Sequence, residues 1–136
     1  MKSWWRPGLA VLVLAALLAL GWALRPASPA SRLKLYCDDL GRGCPLGPGA
    51  SLRTSAEPSA LKPFRLQVSG IADQTLTARF GMSGMDMGPI AFPLARQADG
   101  TLAAQVILPF CVQGRRDWRL WLDGEAGRVE VLFTTS

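Results

Sequence analysis

The chain of 136 residues contains no histidine. That absence removes the side chain most used as a general base near neutral pH and the usual helper ligand for Cu(II) and Zn(II). No nucleophile motif and no carboxylate pair in a recognisable setting takes its place, so the sequence points away from an enzyme. Acidic residues are scarce too, 10 against 15 basic ones, for a formal charge of +5. Lys2, Arg6 and Arg25 flank a single apolar run, however, and from Arg32 onward 12 bases stand against all 10 acids. With the two signs interspersed, the basic stripe of a phosphate-binding surface is missing, and nucleic acid is excluded as a partner. There is no C-x-x-C pair to support thioredoxin-like chemistry, and no lipobox cysteine follows the apolar run.

What is present begins with "LAVLVLAALLALGWAL", residues 9–24, a stretch of 16 residues without a charge. As a helix it rises about 24 Å, and Trp4, Trp5 and Trp22 extend it toward the interfaces, where indoles settle. Residues 1–25 read as one N-terminal transmembrane helix anchoring the chain in an inner membrane. A signal peptide, with the same charged start and apolar run, is the other reading. Either one exports the remainder, with Lys2 and Arg6 left in the cytoplasm under the positive-inside tendency. Within "RPASPASR", residues 26–32 supply a Pro/Ala/Ser linker, and residues 33–136 form a periplasmic domain.

The period of that domain is two. "FRLQVSG" and "QTLTARF" alternate apolar with polar side chains, and "TLAAQVILPF", "RDWRLWLDG" and "GRVEVLFTT" repeat the pattern. "PIAFPLARQ" is a weaker strand, which Pro93 assigns to a sheet edge, and "ADG" turns it into the next one. Adding "RLKLYC" yields strands over 33–37, 64–69, 74–80, 89–96, 101–110, 116–122 and 127–134. The expectation is all-β, an immunoglobulin-like antiparallel β-sandwich of about seven strands. Residues 41–63, rich in Gly, Pro and Ser, read as a long functional loop or as hiding a short edge strand. Trp118 is expected in the core, with Trp121 joining it if its strand twists or lies at an edge.

Alternate connections of such a fold share one end, and there the chain concentrates its sulfur. Cys37 and Cys44 fall in the first connection, Met82, Met85 and Met87 in "FGMSGMDMGPI", and Cys111 after the fifth strand. Thioether and thiolate are soft ligands that select Cu(I). Against that stands an apolar loop whose methionines pack or meet a partner. Cys37 and Cys44, in "CDDLGRGC", suit a disulfide in an oxidising compartment, or a dithiol that cycles. Cys111 is then the odd thiol, either a buried strand-end residue or a metal ligand beside the methionines. Pairing of Cys111 with Cys37 or Cys44 is also open. In "GRRDW", Arg115 and Arg116 form a solvated turn or a docking point for an acidic partner.

The elements "FGMSGMDMGP", "AQVILPFC" and "GRRDWRLWL", taken in order over residues 64–134, resemble the YtkA-like and FixH-like group of small membrane-anchored periplasmic β-sandwiches. They resemble still more closely small bacterial proteins carrying "MDMG" and "C-V-x-G-R-R-D-W", which are associated with SCO-type copper delivery. The resemblance implies a Cu(I)-binding protein accessory to copper handling in respiratory oxidase assembly, its partners an SCO-type copper chaperone or an oxidase subunit. It implies Met82, Met85 and Met87 as the metal loop, with Cys111 at a position where related sequences often place a sulfur. The missing histidine departs from that pattern and favours Cu(I) over Cu(II). A metal-free interaction module and a thiol redox accessory are the alternatives from other classes.

Overall fold

The structure, a computed structural model, describes residues 5–24, 31–85, 88 and 90–136. Helix α1 covers Trp5–Ala23. Its apolar side chains face outward on every side, from Leu9 and Leu12 to Leu18 and Leu20. Its 19 residues rise roughly 28 Å, against a hydrocarbon core of roughly 30 Å. Among the described residues no helix is long and apolar enough to cross a membrane, so the expected transmembrane helix is not what the structure presents.

Nine strands follow: β1 Ser31–Tyr36, β2 Cys44–Gly47, β3 Ala50–Thr54, β4 Phe64–Ser69, β5 Leu76–Met82, β6 Ile90–Arg96, β7 Leu102–Val106, β8 Asp117–Gly124 and β9 Gly127–Thr134. They form one sheet in the order β1-β9-β8-β5-β6-β7-β4-β3-β2, which replaces the expected seven-stranded sandwich. The two additional strands, β2 and β3, occupy the stretch read as a long loop or a short edge strand; β2 is that edge strand, and β3 inside it was not expected. They pair antiparallel across "GPG", with Gly47 opposite Ala50, and their alternate residues Cys44, Leu46 and Leu52 are buried. Gly49, at φ 74°, supplies the left-handed backbone that so tight a reversal demands.

The sheet bends around its own core at β6, which is central and not at an edge. Ile90 through Leu94 pair with β5, and only Ala95 and Arg96 pair with β7. Pro93, lacking an N–H, sits before the β7 ladder begins, where a central strand tolerates it. The bend brings β4 against β5, although two strands lie between them in the order. Phe64 and Phe80 meet edge to face at 6.5 Å, and Phe80 also meets Phe92 at 5.9 Å and Phe133 at 6.3 Å. Leu52, Leu66, Val106, Leu120 and Val131 complete the interior. Trp118 is in the core as expected. Trp121, half-buried on the other face, lies over Gly81.

The two ends of the strand order, β1 and β2, are consecutive in sequence. Cys37, just past β1, is bridged to Cys44, the first residue of β2, with Cα atoms 5.9 Å apart. A covalent link thus joins the two edges at one pole, so that the sheet is nearly barrel-like there. At the other pole the halves diverge around a cleft of about 390 Å³ lined by Leu46, Ile71, Leu76, Leu122 and Val129.

Candidate metal centre

Strand β5 delivers Met82 to the bridged pole, buried and opposite Trp118 of β8. The chain then turns at Ser83 and Gly84. Three contacts pin that turn: the Ser83 N–H donates to the Asp117 carbonyl at 3.2 Å, Arg119 Nε donates to Ser83 Oγ at 2.9 Å, and the Arg115 guanidinium lies against Gly84. A Cβ at position 84 would stand 3.1 Å from Arg115 Nη1, and the backbone there has φ 75°, so glycine suits the site twice over.

The turn aims Met85 at Cys111. The Cys111 thiol donates to Met85 Sδ with the sulfurs 3.4 Å apart. Cys111 is buried and lies beyond β7, in a turn closed by the Gly114 N–H donating to its carbonyl at 3.0 Å. Met82 and Cys111 line one cavity of about 170 Å³, together with Phe110, Arg115, Arg116 and Trp118. Met87 and Asp86 lie outside the described residues. Among the expected sulfur ligands, the structure therefore brings together Met82, Met85 and Cys111.

Cys37 and Cys44 share the pole but not the cavity. Cys37 lines a neighbouring cavity of about 320 Å³ with Ser83, Asp117 and Trp118, so the Trp118 indole borders both spaces. With Cys37 and Cys44 bridged, Cys111 is the free thiol.

Electrostatics at the rim are set by a fork. Arg115 Nε and Nη2 donate to the Asp117 carboxylate at 3.0 and 2.8 Å. This holds the Asp117 carboxyl below its ordinary value and the Arg115 guanidinium above its own, the hydrogen bond to Asp117 being the larger cause and the Asp117 charge the next. The sequence pattern marked "GRRDW" as a solvated turn or a docking point, not as a support for the methionine loop. The role of Arg115 and Asp117 as a clamp on Gly84 depends on the β5–β8 register, for which the sequence carries no local signal.

The donor set is soft: the Cys111 thiol and the Met82 thioether line the cavity without an imidazole or carboxylate side chain, and the Met85 thioether touches Cys111. Among the described residues no group of three or more His, Cys, Asp or Glu side chains could hold a metal, so a hard-cation centre finds no support there. The 3.4 Å between Sγ and Sδ is within the span of two sulfurs on a single ion at about 2.3 Å each. The residues present fit a soft monovalent ion. No protein-family model matches the chain, and neither a curated protein nor a solved structure is detectably similar to it.

Proposed function

We propose that this chain is an exported, membrane-associated Cu(I)-binding protein whose ligands are Cys111, Met85 and Met82. The observation that carries the reading is the Cys111–Met85 sulfur contact beside a cavity shared with Met82. A thiolate with thioethers is the donor set that selects Cu(I), and without histidine nothing in the chain recruits Cu(II) in preference. The Cys37–Cys44 bridge suits an oxidising compartment such as the periplasm, and an N-terminal helix apolar all round suits a bilayer or its interface better than water. The link to respiratory oxidase maturation, with an SCO-type chaperone or an oxidase subunit as partner, rests on the sequence resemblance.

In this reading Cys111 loses its proton on binding the ion, Met85 and Met82 complete the soft shell, and the Arg115–Asp117 fork holds the Gly84 turn so that Met85 stays in reach. The test is anaerobic competition binding of Cu(I) to the full chain in detergent. One tight equivalent is expected, abolished by Cys111→Ser and weakened at least about tenfold by Met85→Leu, as loss of a ligand or its support commonly does. Equal binding by all three proteins, or none by the parent, would refute the site.

A further inference from the structure

Outside α1, the described residues expose seven large apolar side chains, and four of them lie on two adjoining segments. Phe110 and Val112, 64% and 93% exposed, flank the buried Cys111, with Ile107 at 50% just before them and Leu61 at 67% beside them. Leu61 is brought there by its N–H, which donates to the Leu108 carbonyl at 2.8 Å, and by the parallel bridge of Ala60 to Leu108. Its φ of 61° makes it the non-glycine residue of positive φ in the described chain. A bulky side chain held in that strained region while facing solvent marks a functional surface more than a packing need. Single exposed apolar residues are unremarkable on a protein surface, but a cluster beside a candidate site marks an interaction surface.

The rim of the cluster is cationic. Arg115 and Arg116 line the same cavity as Phe110 and Cys111. Arg115 is engaged by Asp117, whereas Arg116 is exposed and has no acidic partner among the described residues. We infer that Leu61, Ile107, Phe110, Val112 and Arg116 form a docking collar around Cys111 for a partner protein that presents an apolar patch edged by carboxylates.

Two other occupants fit less well. A second copy of this chain, joined across a two-fold axis at this pole, would set Arg115 and Arg116 against their own kind. An anionic membrane would have to be reached from the wrong end. β1 and β9 run parallel, so the chain enters the domain from α1 at the opposite pole, about 20 Å away along a six-residue strand. That last step rests on the membrane placement of α1 proposed above. The collar itself does not depend on copper.

The experiment is titration of the full chain in detergent, without copper, by a synthetic peptide carrying a Leu-Trp pair flanked by glutamates, followed in the amide NMR spectrum. Shifts confined to Leu61 and residues 107–116 are expected. Binding should weaken at least about tenfold with Arg116→Glu, with Phe110→Ser, or with lysines in place of the peptide's glutamates. Shifts elsewhere, or binding indifferent to Arg116→Glu, would overturn the proposal. So would phosphatidylcholine–phosphatidylglycerol vesicles that reproduce the same shifts with the same Arg116 dependence, because the surface would then be a membrane contact. With no copper present, failure here is separate from failure of the metal site.

Discussion

At the scale of single residues, substitution separates the packing of Met82 and Met85 from the copper binding proposed for them. Both pack with the core, Met82 fully and Met85 in part, and leucine fills nearly the same volume without a sulfur. Met82→Leu and Met85→Leu should each cost under about 1.5 kcal/mol of stability while weakening Cu(I) retention; parallel urea melts and copper competition test this. Retained copper in both variants would return the methionines to ordinary packing. The Asp117 carboxyl, held low first by its hydrogen bond from Arg115, supplies a pH signature of the clamp. Its contribution is complete above the unfolded carboxylate value of about 3.9 and disappears only as pH falls through the lower folded value. The pair is about half exposed, so the effect on global stability is small. The readout is the Asp117 side-chain carbon shift, whose midpoint should fall below about 3.9 and return toward that value in Arg115→Gln. A parent midpoint at or above it contradicts the fork.

At the scale of elements, the Cys37–Cys44 bridge closes a short loop, with a sequence separation of 7. Loop-closure entropy assigns it about 2.5 kcal/mol. A Cys37→Ser/Cys44→Ser protein should lose about that much in urea unfolding and still bind Cu(I), since the bridge lies outside the Cys111 cavity. Loss of copper together with the bridge would instead support a cycling dithiol. Strands with a clean alternation were legible in sequence: β4 matches its expected bounds, Phe64–Ser69, and β9 begins and ends where its valines and phenylalanine predicted. β2 and β3 could not be placed from sequence beyond an open edge strand, because four residues broken by Pro45 and Gly47 and then only five more offer too few alternations to count. Their available signal was "GPG" between Leu46 and Leu52. Pro93 misled for a definite reason: the rule against proline in central strands concerns the missing donor, and β6 hides that lack at the point where the sheet changes partners.

At the scale of the molecule, the gathering of sulfur at one pole was legible despite the miscounted strands. An overlooked hairpin adds two reversals, which leaves the direction of every later strand unchanged, so Met82 and Cys111 still arrive at the end that holds Cys37. One overlooked strand would have sent them to opposite ends. What no sequence pattern conveyed was the contact between Cys111 and Met85, which is 26 residues long in sequence and depends on the turn held by Arg115. The same long reach governs β9, which pairs with β8 on one side and β1 on the other. Removing residues 127–136 should therefore unpair β1 as well as β8, with protease cleavage near residues 31–36 as the measure. Continued protection of that segment would contradict the parallel β1–β9 ladder.

That ladder also imposes an order in time. Among the described strands β1 leaves the ribosome first and its partner β9 last, so Ser31 to Tyr36 wait unpaired until β2 to β9 have all been made. A contact spanning most of the sequence forms slowly, and an unpaired strand edge is open to wrong pairing while it waits. The β1–β9 ladder can close only after β9 has been made, so a stalled or clipped chain would declare itself by its exposed β1.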